Sequence, residues 1–134
     1  MSIFDTDLVT SELHVPLRDR FAIELSSRIK SYHRDLIEAK RTHGVSGVMS
    51  AIDMMVLSLT QKQQYASMTF SSNRDIYMNY PHRFVTEIKG NFYIVIEVRQ
   101  PGAKDRENFG TIFITLDKYL RETKFKVKDY KYYW

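Results

Sequence analysis

The apolar residues of this chain change their period near Tyr65, and this change limits the folds open to it. Before Tyr65 they recur every three or four positions, which is typical of amphipathic helices. After Tyr65 they recur at every second position, which is typical of strands with one buried face. The sequence therefore predicts an α+β fold, in which an N-terminal antiparallel helix pair packs on a C-terminal antiparallel sheet of about four strands.

The N-terminal half predicts two helices separated by a glycine. The first runs from Pro16 to about Thr42, and Gly44 ends it because glycine readily adopts a left-handed conformation. Ser46 caps the second helix, which runs to about Gln64. Since few residues connect them, we expect the two helices to be antiparallel neighbours. The apolar stripe of the first helix consists of Leu17, Phe21, Leu25, Ile29, Tyr32, Leu36 and Ala39.

The C-terminal half predicts strands at 83–89, 92–99, 109–116 and 124–134, with a possible further strand at 65–70. For the hairpin 83–99 we favour a three-residue loop, 89–91, which places Ile88 opposite Phe92 in the core. A two-residue loop at 90–91 would instead set Glu87 against Ile94. The predicted core consists of Leu25, Ile29, Leu36, Ile52, Val56, Ile88, Ile94, Ile96, Ile112 and Ile114.

The length of 134 residues is typical of one domain, in which residues 1–14 form an arm, 15–64 a helical hairpin and 65–134 the sheet. The chain has no cysteine, which excludes disulfides, thiolate metal sites and cysteine nucleophiles. No stretch approaches the roughly 18 consecutive apolar residues of a membrane span. Residues 1–7 hold two aspartates and no basic residue, unlike a secretory signal. We therefore expect a cytoplasmic protein without membrane contact.

The last predicted strand is the strongest functional candidate. It carries lysines on one face and ends in aromatic residues, so that lysines can neutralise phosphates while rings stack on unpaired bases. Two cations in the polar loop 100–108 and a basic first helix extend this pattern, and the net charge is +4. The predicted nucleic-acid-binding residues are Lys104, Arg106, Lys124, Lys126, Lys128, Tyr130, Lys131, Tyr132 and Trp134. The simpler interpretation is an edge strand that lysines protect from aggregation, with its rings packed on the helices.

Two features of the sequence favour interpretations other than nucleic-acid binding. In the first helix, acidic residues alternate with the basic ones, and Glu24–Arg28 and Arg34–Glu38 lie four positions apart, which favours local ion pairs. The sheet face with Tyr93, Val95 and Phe113 is half apolar. An alternative function is therefore a protein-binding adaptor or inhibitor that uses this face and the terminal residues 132–134. The same face is a candidate homodimer contact.

Catalysis is the weakest of the three interpretations. Asp75, Glu87 and Lys89, with Glu24 or Glu38, can be matched to the carboxylate–lysine set of a magnesium-dependent nuclease. So short a match arises easily by chance. The four histidines show no metal-ligand spacing. We therefore predict a binding module without catalytic residues, metal or cofactor.

Overall fold

The computed structural model describes residues 15–72, 82–100 and 109–128. Two helices come first, α1 (Leu17–Ser31) and α2 (His33–Thr60), followed by a short 3-10 turn, Gln63–Tyr65. The strands are β1 (Thr69–Ser71), β2 (Val85–Ile88), β3 (Asn91–Arg99), β4 (Gly110–Leu116) and β5 (Glu122–Lys128). All the strand pairs are antiparallel. The predicted α+β arrangement is confirmed, with five strands within the described ranges.

The helices depart from helical geometry at Tyr32 and at Gly44. Tyr32 (φ −100°, ψ 20°) separates α1 from α2, but its N–H still bonds to the carbonyl of Arg28 at 2.9 Å and its carbonyl accepts from Leu36 at 3.0 Å. Gly44 (φ 73°, ψ −162°) adopts a conformation that is open almost only to glycine. The predicted interruption at Gly44 is thus confirmed, whereas the local distortion at Tyr32 was not predicted.

The chain after α2 returns to the start of α1. The ring of Tyr65 lies 5.1 Å from that of Phe21, and the ring of Phe70 lies 4.5 Å from Phe21. Tyr65 was predicted to begin a strand, but it belongs to the 3-10 turn, and β1 begins only at Thr69. A phenylalanine on α1 therefore joins the helices to the first strand.

One hydrophobic core lies between the helices and the inner face of the sheet. Its helical part includes Phe21, Leu25, Ile29, Leu36, Val48, Ile52, Val56 and Leu59, and each of these is fully buried. Its strand part includes Phe92, Ile94, Ile96, Val98, Ile112, Ile114 and Leu116. Nine of the ten predicted core residues are buried, and Ile88 is the exception, at 51% exposure.

The strand order explains which surfaces remain open. β3 is central, since β4 occupies one of its edges while β1 and β2 share the other. β5 pairs with β4 and is the last strand of the order β1–β3–β4–β5. Within the described ranges, β5 is therefore an edge strand.

The predicted hairpin register is wrong by one residue. Val85 lies opposite Ile94 and Ile88 opposite Asn91, so the loop consists of Lys89 and Gly90 alone. Both loop residues have positive φ, 53° and 87°, as in a type I′ turn, whose twist matches that of the flanking strands. The shift moves Ile88 out of the core.

By length and composition, α2 would be able to cross a membrane. Gly44 divides it, however, and five of its side chains are buried in the core against α1 and the sheet. A core helix of a globular domain meets the same criteria of length and hydropathy.

Candidate functional site

Three lysines form a row on β5, which we call the lysine row: Lys124, Lys126 and Lys128. All three are exposed. They lie opposite Thr115, Phe113 and Thr111 of β4, which alternate with the buried Ile112 and Ile114. Because successive residues of a strand point to opposite faces, the lysine row lies on the sheet face that is turned away from the helices. We call this face the outer face.

Aromatic side chains adjoin the lysine row. Phe113 lies opposite Lys126 on one side and Val95 on the other, and the ammonium nitrogen of Lys128 is 5.3 Å from the centre of its ring. Tyr93 lies on the same face, opposite Thr115. Phe113 and Tyr93 are half-buried and Val95 is only 5% exposed. The outer face therefore offers two half-buried rings near the cations, and less open apolar area than the sequence indicated.

The charge around the lysine row is mainly positive. Its β4 partners carry no charge, and along the register the acidic residue of β3 on this face is Glu97, opposite Thr111. The chain from Asp117 to Lys128 holds five cations and two carboxylates. Both carboxylates face a cation, since Asp117 binds Arg121 at 2.8 Å and Glu122 lies 3.7 Å from Lys30. The lysine row thus has no carboxylate partner on its neighbouring strand.

The structure describes three of the nine predicted site residues. It places Lys124, Lys126 and Lys128 together, as expected. Lys104 and Arg106 of the loop, and Tyr130, Lys131, Tyr132 and Trp134 of the C-terminus, lie outside the described residues.

A network on α1 uses part of the basic helix surface. The carboxylate of Glu24 accepts hydrogen bonds from Lys62 and from the hydroxyl of Tyr65, the latter at 2.7 Å, and Arg28 lies 3.9 Å away. The predicted Glu24–Arg28 pair is therefore present. On α2, Glu38 pairs with Arg41 at 2.5 Å, and not with Arg34 as predicted. Since these cations have internal partners, the helix face is less basic than its composition indicates.

Burial and bonding change the ionisation of this network. Burial raises the pKa of Tyr65 to about 12, and its hydrogen bond to Glu24 acts in the same direction. For Glu24, burial alone would raise the pKa, but the hydrogen bonds from Lys62 and Tyr65 outweigh it, so the pKa lies below the usual 4.5. The ionised carboxylate is thus the form that the folded protein stabilises.

We expect Glu24 to make folding dependent on pH in the acidic range. Because folding lowers its pKa, its contribution is complete above pH 4.5 and is lost as the pH falls through the folded-state pKa. Urea denaturation at pH 7 should therefore show Glu24→Gln to be less stable than the wild type, and this difference should shrink steadily below pH 4.5. A difference that stayed constant down to pH 3 would contradict the assignment.

The carboxylates of the nuclease hypothesis are engaged elsewhere. Glu87 accepts a hydrogen bond from the backbone N–H of Gly90 in the β2–β3 turn. Glu24 and Glu38 belong to the ion pairs described above, and Asp75 lies outside the described residues. Across residues 15–72, 82–100 and 109–128, no three His, Cys, Asp or Glu residues are grouped so that they could hold a metal ion.

A second basic surface was not predicted from the sequence. The β4–β5 turn (117–121) faces α2, so that Lys118, Tyr119 and Arg121 lie near His33 and Lys40. Asp117 accepts hydrogen bonds from the N–H groups of Tyr119 and Arg121, and the chain forms a tight turn with Leu120 at φ 66°. The hydrogen-bonded residues of the two sides lie 78 and 86 positions apart, so no local pattern could have indicated the surface.

Comparison with known proteins adds no functional assignment. No family model, no curated protein and no solved structure matches the chain.

Proposed function

We propose that this protein binds single-stranded nucleic acid along its outer face, with the lysine row against the phosphates. The observation that carries the proposal is the position of Lys124, Lys126 and Lys128, which are exposed side by side on an edge strand. On one face of a strand, consecutive lysines lie about 6.8 Å apart, since a strand rises about 3.4 Å per residue. A row of this kind can follow an extended phosphodiester backbone.

The neighbouring rings suit unpaired bases better than a duplex. Phe113 lies opposite Lys126, and Tyr93 lies on the same face one strand further. An aromatic ring can stack on any exposed base. Bases inside a duplex are already stacked, and the grooves expose only their edges. The proposal therefore assigns the phosphates to β5 and the bases to β4 and β3.

The decisive experiment removes the lysine row. We expect the triple variant K124Q/K126Q/K128Q to bind a fluorescent single-stranded oligonucleotide about a hundredfold more weakly at low salt. Each phosphate contact contributes about 0.7 to the slope of log K against log salt, so the slope should fall by about 2. Fluorescence anisotropy over a series of salt concentrations measures both quantities for DNA and RNA.

A matched variant separates the site from overall charge. R34Q/R41Q/R83Q also removes three exposed cations, but none of them belongs to the lysine row. We expect it to retain most of the affinity and of the salt slope. Equal losses in the two triple variants would mean that only net charge matters, and a wild type that binds neither DNA nor RNA would refute the proposal.

A protein partner is the second candidate. It is favoured by Ile88 and Phe125, which are 51% and 40% exposed on the sheet. Affinity from apolar contacts of this kind should change little with salt, in contrast to phosphate binding. A pull-down from the source cell, with and without nuclease treatment, distinguishes the two, because a direct protein partner remains bound after the nucleic acid is digested.

A further inference from the structure

A cavity of about 520 Å³ lies between the start of α2 and the β4–β5 turn. His33, Ile37 and Lys40 form its helical wall, and residues 118–121 form the opposite wall. The volume falls in the range of small-molecule sites, about 300–1,000 Å³. The helices cover the inner face of the sheet, so this cavity is a different surface from the lysine row.

Hydrogen bonds hold the two walls in place. The ammonium group of Lys40 donates to the carbonyl of Lys118 at 2.8 Å, and Nε2 of His33 lies 3.3 Å from the carbonyl of Tyr119. Within the turn, the carboxylate of Asp117 accepts from the N–H of Tyr119 at 3.0 Å. The buried side chain of Leu120 anchors the turn in the core. The cavity is therefore largely formed before any ligand arrives, which lowers the cost of binding.

The lining combines cations with exposed apolar surface. Lys40, Lys118 and Arg121 line it, and Arg121 is paired with Asp117 at 2.8 Å, so among the described residues two of the three cations have no carboxylate partner. Ile37 is 45% exposed and Tyr119 is 59% exposed. Cations lie near the Tyr119 ring, with Lys118 Nζ at 5.2 Å and Arg121 Cζ at 5.3 Å from its centre. Such a lining fits an anion that carries a flat ring.

An adjoining cavity extends the first one. It is smaller, about 280 Å³, and shares His33, Leu120 and Arg121 with the first. Glu122 also lines it, with a side chain only 8% exposed. Its Oε1 lies 3.7 Å from Lys30, whereas its buried Oε2 accepts no hydrogen bond from the part of the chain that is described. Because Oε2 has almost no accessible surface, Glu122 closes one wall of this cavity, and Lys30 balances its charge.

We propose that these joined cavities bind a nucleoside monophosphate. The phosphate lies among Lys40, Lys118 and Arg121, since a dianion balances several cations better than a single carboxylate does. The base packs on the exposed side chains of Tyr119 and Ile37, and the ribose extends into the adjoining cavity. This small-ligand site is independent of strand binding on the outer face.

Calorimetric titration with adenosine monophosphate tests the proposal. We expect saturable binding at one site per chain. Adenosine and inorganic phosphate each supply only part of the recognised groups, so each should bind at least tenfold more weakly. Benzoate, a ring with a single carboxylate, should also bind more weakly. Adenosine or benzoate binding as tightly as the nucleotide would overturn the proposal, as would a nucleotide titration without saturable heat.

Variants then locate the site. Lys118→Gln and Tyr119→Ala change exposed side chains, and circular dichroism should show both proteins folded. We expect each to weaken nucleotide binding at least tenfold, while Lys126→Gln on the outer face leaves it unchanged. Oligonucleotide binding should be weakened by Lys126→Gln and left unchanged by Lys118→Gln and Tyr119→Ala. The two proposals can therefore fail separately. Equal effects of Lys126→Gln and Lys118→Gln on the nucleotide would exclude this cavity as its site.

Discussion

Gly110→Ala is expected to lower the free energy of unfolding by about 2–6 kcal/mol. Gly110 begins β4 at φ 156°, a conformation that side chains rarely adopt. A Cβ atom there would lie 2.4 Å from the backbone carbonyl oxygen of Lys128, so the two strands would have to separate. Backbone strain and forced packing each cost about 1–3 kcal/mol. Urea denaturation of both proteins measures the difference.

Thr111→Ala is the matched control for this substitution. Thr111 is the next residue of β4, is half-buried and pairs with Lys128 in the register. Its alanine variant introduces no clash, so we expect a loss of about 1 kcal/mol or less.

Because Gly110→Ala displaces the backbone at Lys128, it should also weaken oligonucleotide binding. Wild-type stability of the Gly110→Ala variant would contradict the close packing of β4 and β5 at Gly110.

Phe21→Ala is expected to cost about 3–5 kcal/mol, the usual range for removing a fully buried phenylalanine. Phe21 is 0% exposed, and its ring contacts Tyr65 and Phe70 at centroid distances of 5.1 and 4.5 Å. One side chain thus links α1, the 3-10 turn and β1. Its loss leaves a cavity that the surrounding elements can fill only in part. Thermal and urea denaturation should agree on the size of the effect.

Ile23→Ala controls for the loss of an apolar side chain from the same helix. Ile23 is two residues away and 49% exposed, and alanine favours the helical conformation. We therefore expect a change below about 1 kcal/mol. Equal effects of Phe21→Ala and Ile23→Ala would contradict the position of α1 on the sheet.

The patterns that the sequence predicted correctly are local. Alternation in 109–116 identified Ile112 and Ile114 as buried residues, and the helical stripe identified Leu25 and Ile29. Gly44 was correctly predicted to interrupt the helix, because only glycine readily adopts such a conformation. The lysine row was predicted by the same alternation.

The hairpin shows where this reasoning fails. Lys89, Gly90 and Asn91 are all acceptable loop residues, so composition did not distinguish a two-residue from a three-residue loop. The choice depended on the positive φ of Lys89, which is uncommon for a residue with a long side chain. A shift of one residue turned Ile88 from the core to the surface, since side chains alternate between faces.

Periodicity alone was sufficient to predict helices before strands, a buried face on the helices and on the strands β3 and β4, and a cationic face on the last described strand. Each of these properties depends on residues within a few positions of one another. Tertiary packing was needed to bring His33 and Lys40 to the turn at Lys118–Arg121, and to bring Glu24 to Lys62 and Tyr65. These groups are far apart along the chain, and only the docking of helix on sheet makes them neighbours.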